Sequence, residues 1–157
     1  EVVAATEVAG LPRWAKLSAN TDRMVEVAQA VWWAGAEAVT LINTLKAMVI
    51  DIEAAAPALG SGAGGGGLSG AAIGPVALRS VFDVHAALPG LPIVGVGGIT
   101  TGRDAVAMFM AGASAVQVGT ASFANPASAD IEARGLEHWC SAHSVARVAD
   151  LKGLAHG

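Results

Sequence analysis

Apolar and polar positions follow two alternating patterns along the chain. Short runs rich in valine, alanine or leucine end at glycine or at a small polar residue, and each is followed by a longer segment with apolar positions three and four apart. The short runs are typical of strands buried on both faces, and the longer segments of amphipathic helices. Their regular alternation predicts a parallel sheet whose strands are joined by helical, right-handed crossovers.

The pattern predicts four strands, at residues 12–18, 38–43, 92–96 and 115–119. Helices are predicted at 1–9, 20–34, 73–87, 101–111, 126–143 and 145–151. Gly10, Gly35 and Gly112 stop three of them, and Asn20 or Thr21 can cap the second. Residues 45–70 are predicted to be a long loop. Seven of the eleven residues at 60–70 are glycines, which fits either a flexible linker or a ligand-covering loop. Ordered segments on both sides favour the ligand-covering loop.

The number of strands limits the possible folds. A (β/α)₈ TIM barrel needs about 250 residues, so four βα units with an extra helix in front resemble the C-terminal half of one. We therefore predict an α/β fold, with residues 1–157 as a single domain, and the C-terminal half of such a barrel is one of two arrangements that fit. A flavodoxin-like sheet of four or five strands is the structural alternative.

Composition and charge narrow the classes of function. Hydrophobic residues make up 54% of the 157 residues, yet no apolar run reaches the roughly 18 residues of a membrane span. The net charge of −4 without a basic tract argues against a nucleic-acid partner. The single Cys140 excludes an internal disulfide and favours the cytoplasm. The chain opens on Glu1 with no basic segment typical of a signal peptide, so we expect a processed start or one within a longer protein.

Two glycine-broken strand ends, at 94–99 and 115–120, carry the clearest chemical signal. Glycines expose backbone N–H groups, and a following helix adds partial positive charge, so two such ends side by side can cradle a phosphate. Lys16 would add a fixed cation at the first strand, and Asn43 and Thr44 would add polar groups at the end of the second. Each also has a purely structural interpretation, as a surface lysine or as turn residues. The four histidines lack metal-ligand spacing, so no metal site is predicted.

Seven short segments, in this order and spacing, resemble class 1 dihydroorotate dehydrogenase, and most closely the catalytic subunit of its subclass 1B. They are KLS at 16–18, INTL at 42–45, MVIDIE at 48–53, GGLSG at 66–70, ALR at 77–79, VGVGGITTG at 94–102 and AGASAVQVGTA at 111–121. One glycine-rich segment would be weak evidence, whereas seven collinear segments from about Leu11 onward are specific. Because that family folds as an FMN-binding (β/α)₈ barrel, the resemblance favours the half-barrel.

The resemblance implies roles for nine residues. Lys16 would contact the flavin ring system, and Ile42 would pack against it. Asn43 and Thr44 would hydrogen-bond the pyrimidine substrate. The ribityl chain and phosphate of FMN would be held by Gly70, Gly97, Gly98, Gly119 and Thr120. The chemistry agrees, since a cation stabilises charge that develops on a reduced flavin and an Asn amide both donates and accepts hydrogen bonds.

The resemblance also implies a reaction. (S)-dihydroorotate would be oxidised to orotate, with a base taking the C5 proton and hydride leaving C6 for FMN. Electrons would pass through an iron–sulfur/FAD partner subunit to NAD, and the catalytic subunit would be a homodimer in the cytoplasm. The family's base is a cysteine in the first half of the barrel, which has no counterpart here. Cys140 lies on a late predicted helix and cannot replace it, so negligible turnover is expected from this chain alone.

Three departures from the family pattern are visible. Ala71 stands where proline is usual, Gly74 where lysine is common, and Ala107 where an acidic residue is common; each could loosen the site. Two alternative functions stay open: another phosphate- or FMN-binding barrel enzyme, which orotate binding would test, and an inactive half-barrel that self-associates through its open edges.

Overall fold

The four predicted strands form one parallel sheet in the computed structural model, which describes residues 1–59 and 64–157. The described strands are β1 (Trp14–Leu17), β2 (Ala38–Leu41), β3 (Leu45–Ala47), β4 (Ile50–Asp51), β5 (Ala56–Pro57), β6 (Gly66–Leu68), β7 (Ile93–Val96) and β8 (Ala115–Gln117). The described α-helices are α1 (Val2–Ala5), α2 (Met24–Trp33), α3 (Gly74–Ala87), α4 (Gly102–Met110), α5 (Ala121–Ala124) and α6 (Ser128–Ala142). Short 3₁₀ helices cover Thr6–Ala9, Ala71–Ile73, Val148–Leu151 and Leu154–His156.

The strand order in the parallel sheet is β1-β2-β7-β8, which follows the order of the chain. Helices α2, α3 and α4 contact the strands that flank them and contact each other in sequence. A flavodoxin-like sheet would reverse its strand order after the first strand, so that alternative is wrong. The predicted α/β class and parallel sheet are confirmed. The sheet is open, with β1 and β8 at its edges.

The main core lies between the sheet and helices α2 to α4. Val39, Leu41, Ile93 and Val81 are fully buried there, and Trp32 packs against them. The adjacent Trp33 is 76% exposed, so one ring of the pair faces inward and the other outward. Side chains alternate along each strand, so Lys16, Thr40, Val94 and Ala115 form a row on the opposite sheet face.

A second cluster joins α4 to α6 and to the C-terminal 3₁₀ helices. The two helices approach closely at a pair of glycines, since a Cβ on Gly102 would lie 2.3 Å from the carbonyl carbon of Gly135. Val106, Phe109, Cys140 and Leu151 are buried beside this crossing. Cys140 is therefore a packing residue.

Several local predictions are corrected. The long loop at 45–70 contains two antiparallel pairs, β3 with β6 and β4 with β5; periodicity misses them because each strand has only two or three residues. Residues 60–63 of the glycine-rich stretch lie outside the described residues. Helix α2 begins at Met24 without a side-chain cap, and the Thr21 hydroxyl instead accepts a hydrogen bond from Arg23 N.

Three C-terminal boundaries also differ from the prediction. The short helix α5 is absent from the prediction, and α6 begins at Ser128 rather than at Pro126. The final predicted helix is a 3₁₀ turn at Val148–Leu151. Single-turn helices carry too few residues for a periodic apolar pattern, so these segments are read poorly from sequence.

Candidate functional site

All nine predicted site residues line one cavity of about 130 Å³ at the carboxyl ends of the parallel strands. Carboxyl ends of parallel strands meet at the same edge of a sheet, which brings together residues that are distant in sequence. Asn43 and Thr44 follow β2, Gly97 and Gly98 follow β7, and Gly119 and Thr120 follow β8. Lys16 and Ile42 lie at the ends of β1 and β2, and Gly70 precedes α3. The predicted gathering of these residues is present, and their individual roles stay predictions.

The turn after β7 needs glycine at two successive positions. Gly98 has φ +76°, and a Cβ there would lie 2.3 Å from Gly74 Cα. Gly97 has φ +129°, and its Cβ would lie 2.9 Å from the Ala77 Cβ. Both a left-handed backbone and the missing side chain are therefore required, because the strand end packs directly on the start of α3.

Backbone N–H groups from two strand ends are free to bind an anion. Within residues 1–59 and 64–157, the N–H groups of Gly98, Ile99, Gly119 and Thr120 donate to no backbone acceptor. A Cβ on Gly119 would meet no atom within 4 Å, so the space beside this backbone is open. Unpaired donors on two strand ends that line one cavity suit a phosphate group.

Helix α4 contributes less to this cradle than the sequence suggests. Its N-terminus is closed by a capping box: Thr101 accepts from Asp104 N, and the Asp104 carboxylate accepts from the backbone N–H groups of Thr100 and Thr101. Burial opposes ionisation of Asp104, but the hydrogen bonds from both threonines outweigh it and hold its pKa below the ordinary value. The positive end of the α4 dipole is thus already satisfied by a carboxylate.

Lys16 supplies the one charged side chain among the described residues that line the cavity. Its Nζ lies 3.5 Å from the carbonyl oxygen of Ile42, so the ammonium group is directed across the ends of β1 and β2. The side chain belongs to the sheet face opposite the helices, together with Val96 and Gln117, which also line the cavity. The cavity therefore opens on the face that the helices leave uncovered.

Asn43 and Thr44 present amide and hydroxyl groups beside this lysine. The backbone N–H of Asn43 donates to Leu17 O at 3.0 Å, and the Asn43 Oδ1 accepts from Thr44 N at 2.8 Å. Strand β6 passes over Thr44, since a Cβ on Gly67 would lie 2.4 Å from the Thr44 hydroxyl oxygen. The segment that was expected to cover a ligand thus contacts one of the predicted substrate residues.

Sequence reasoning missed six lining residues. They are Ser69, Ile73, Val96, Ile99, Gln117 and Ala121. The strand-end rule that found Gly119 could also have found Gln117, which ends β8, and Ser69 lies inside the GGLSG segment. The apolar members carry no signal of their own, because they resemble ordinary core residues.

The size of the cavity decides which part of FMN it fits. Pockets that enclose a drug-sized ligand have volumes of about 300 to 1,000 Å³, and this cavity has about 130 Å³. The cavity is open to one side, so the described walls can enclose a phosphate and part of the attached chain, and could contact a flavin ring without enclosing it. Residues 1–59 and 64–157 contain no group of three or more His, Cys, Asp or Glu side chains that could hold a metal ion.

Fold and site together define an α/β protein with a glycine-lined cavity at the carboxyl ends of a sequentially ordered parallel sheet. The family model described as dihydroorotate dehydrogenase matches residues 2–139. The chain belongs to the dihydroorotate dehydrogenase family, a family of oxidoreductases, and the predicted resemblance is confirmed.

Curated relatives named as the catalytic subunit of dihydroorotate dehydrogenase B (NAD(+)) are similar to this chain. The protein of Pelobacter propionicus is 51% identical over 142 residues, which are 90% of this chain and 46% of that protein. The protein of Desulforudis audaxviator is 47% identical over 146 residues, 93% of this chain and 47% of that protein. The chain thus spans about half the length of the relatives it matches. None of its described helices is both long and apolar enough to cross a bilayer.

Proposed function

We propose that the chain supplies the FMN phosphate cradle and part of the pyrimidine site of a dihydroorotate dehydrogenase of subclass 1B. One observation carries the proposal: nine residues assigned by family resemblance converge on a single cavity at one edge of the sheet. The parallel topology brings these strand ends together, and their composition supports a common ligand: the ends carry glycines, a lysine, an asparagine and a threonine.

The proposed architecture is half of a (β/α)₈ barrel. Two features support it: the strands follow one another in sequence, and the sequentially adjacent helices pack together on one face. On the other face, Trp14, Lys16 and Ala115 are exposed at the sheet edges. Closing a barrel would cover that face and pair the edges of β1 and β8 with further strands.

The residues of the cavity would divide the chemistry between them. FMN, when bound, would accept the hydride that dihydroorotate loses. Lys16 would hold positive charge near the reduced ring system, with Ile42 packed against the ring. The Asn43 amide and the Thr44 hydroxyl would orient the pyrimidine by donating and accepting hydrogen bonds. Free N–H groups after β7 and β8 would bind the phosphate.

The proton at C5 needs a base that this cavity does not supply. None of the described lining residues is Asp, Glu, His or Cys. The single cysteine, Cys140, is buried in α6 beside Val106 and Phe109. We therefore expect negligible oxidation of dihydroorotate by the isolated chain, and substantial turnover of the FMN-loaded chain would contradict this part of the proposal.

Protein partners are proposed on the basis of exposed apolar side chains. Met48, Val49, Ile50 and Ile52 are all more than half exposed on the segment that carries β3 to β6. Their exposure supports contact with a second copy or with an iron–sulfur/FAD subunit that passes electrons to NAD. The relatives' designation as a catalytic subunit also supports a partner. A cytoplasmic location stays a prediction from cysteine usage.

Titration of the purified chain with FMN, followed by quenching of flavin fluorescence, tests the proposal. We expect saturable binding that Lys16→Ala weakens. Lys46→Ala is the matched control, because Lys46 is an exposed lysine near the site that does not line the cavity. A folded chain without saturable FMN binding, or an equal loss from both substitutions, would contradict a cofactor site within this chain.

Orotate distinguishes the proposed reaction from other flavin chemistry. Orotate should compete with dihydropyrimidines at the Asn43–Thr44 end and leave FMN in place. Binding of FMN without any response to orotate would favour another FMN-dependent barrel enzyme. Size-exclusion chromatography separates both from the inactive half-barrel, which would form large assemblies through its open edges.

A further inference from the structure

The side chain of Asn20 bridges two chain segments next to the cavity without lining it. Its Nδ2 donates to the carbonyl oxygen of Thr44 at 2.9 Å and to the Ser18 hydroxyl at 2.8 Å. Its Oδ1 accepts from the backbone N–H of Lys46 at 2.7 Å. One carboxamide therefore uses both donor hydrogens and its acceptor, and two of these three bonds go to backbone 24 and 26 residues away.

This bonding pattern imitates a strand neighbour. In a parallel ladder, one residue bonds to the C=O and the N–H that flank the residue opposite to it. The backbone ladder between β1 and the segment after β2 ends where Asn43 N donates to Leu17 O. Beyond that point the Asn20 carboxamide bonds to Thr44 O and Lys46 N, as a continuing strand would bond around Leu45.

The held segment is the one that carries the predicted substrate contacts. Asn43 and Thr44 line the cavity, and the Asn43 side chain is itself bonded to Thr44 N. The carbonyl oxygen of Thr44 follows the last ladder bond and accepts a hydrogen bond from Asn20 Nδ2. The phosphate cradle, by contrast, lies on the ends of β7 and β8 and has no hydrogen bond to Asn20.

We propose that Asn20 is a positioning residue for the pyrimidine-binding pair Asn43–Thr44, acting by continuing the sheet through its side chain. The proposal rests on the proposed function for the identity of the ligand. The structural part of the proposal is independent of the ligand, because Asn20 holds the backbone at Thr44 and Lys46 whether or not a ligand is bound. It predicts an effect on orotate that is separate from any effect on FMN.

Substitutions of Asn20 can remove the hydrogen-bond donor of the carboxamide alone, or the donor and the acceptor together. Asn20→Asp keeps an oxygen acceptor for Lys46 N but loses the donor, and it sets a carboxylate against the Thr44 carbonyl. Asn20→Ala removes all three bonds of the carboxamide. Thr21→Ala is the matched control, because the Thr21 hydroxyl closes the adjacent turn through Arg23 N and has no bond to the Thr44 segment.

Amide hydrogen exchange on the ligand-free chain, read residue by residue by NMR, is the first test. Asn20→Ala should speed exchange at Lys46 by about tenfold or more, the effect of one lost hydrogen bond. Exchange at Asn43, bonded to Leu17 O, should change by less than about threefold in the same variant. Unchanged exchange at Lys46, or equal acceleration at both amides, would overturn the positioning role.

Orotate titration of the FMN-loaded chain is the second test. Asn20→Ala and Asn20→Asp should each weaken orotate binding by about tenfold and leave FMN affinity within about twofold, while Thr21→Ala changes neither. Equal loss of both ligands would indicate general damage and contradict the proposal. If the unmodified chain binds no orotate, the proposed function fails, and the exchange experiment still decides the role of Asn20.

Discussion

Gly98 and Gly74 meet backbone to backbone beside the proposed phosphate cradle, and the contact is asymmetric. A Cβ on Gly98 would lie 2.3 Å from Gly74 Cα, whereas a Cβ on Gly74 would lie 3.6 Å from Gly98 Cα. Only Gly98 has a positive φ, of +76°. The end of β7 can therefore reach the start of α3 only if residue 98 has no side chain, while residue 74 has room for a methyl group.

Substitutions at these two glycines should therefore have different effects on the free energy of unfolding. Gly98→Ala should lower the free energy of unfolding by about 2 kcal/mol or more, through backbone overlap and left-handed strain. Gly74→Ala should be neutral or stabilising by up to about 1 kcal/mol, because it removes a glycine from the first turn of α3. Urea unfolding of both variants measures the difference. Similar effects at the two positions would contradict the asymmetric contact.

Gly119 offers the opposite case, a glycine that the fold does not require and that we expect to matter for ligand binding. Its Cβ would meet no protein atom within 4 Å, so Gly119→Ala should leave the unfolding midpoint unchanged. The added methyl group would stand beside the free N–H groups of the cradle. We expect FMN affinity to fall by about tenfold or more, the loss of roughly one hydrogen bond to a charged group. A fluorescence titration that shows unchanged affinity would place the phosphate elsewhere.

Some of this site could be predicted from sequence because it depends on strand ends. Asn43, Gly97 and Gly119 each follow an apolar run, and the parallel topology alone brings such positions together. Asn20 could not be found in this way. Its partners are contributed by a segment that follows another strand, and its side chain lies beyond the last residue of β1.

The other features that the sequence did not predict have the same physical origin, because close contacts depend on tertiary packing. The approach of Gly98 to Gly74, and that of Gly102 to Gly135, leave no pattern in the local sequence. The β3–β6 pair joins residues about 20 positions apart through glycines, which favour strands poorly. The Thr101–Asp104 capping box, in contrast, has a local spacing that a sequence can show, although it was not among the predictions.

The capping box gives a prediction about acid stability. The hydrogen bonds from Thr100 and Thr101 hold the pKa of Asp104 below its ordinary value despite burial. The contribution of ionised Asp104 to folding stability is therefore fully present above the unfolded-state pKa of about 4. It is lost as the pH falls through the lower folded-state pKa. Asp104→Asn should destabilise the chain at pH 7 by about 1 kcal/mol and reduce the loss of stability between pH 5 and 3. Asp130→Asn, on an exposed ion pair of α6, serves as control and should have a smaller effect.

The C-terminal 3₁₀ helix at Leu154–His156 is packed on α3 through two histidines. The ring of His156 stacks on Phe82 at 3.9 Å and meets the ring of His85 edge-on at 5.0 Å, while the His156 Nε2 lies 3.0 Å from Ala111 O. The Nδ1 of His85 is buried and has no hydrogen-bond partner among the described residues. Burial, and then repulsion from His156 and Lys152, lower the pKa of His85.

The folded state should consequently be less stable in mildly acidic solution. Below the unfolded-state pKa of about 6.5, the unfolded chain takes up a proton at this position more readily than the folded chain does. Stability thus falls as the pH is lowered from about 7 through the depressed folded-state pKa, and it levels off below that value. Urea unfolding at a series of pH values should show this fall, and His85→Leu should make it shallower, because the variant has nothing to protonate there. His138→Leu, at an exposed histidine of α6, should leave the fall intact. An equally steep fall in His85→Leu would show that the acid sensitivity arises at another group.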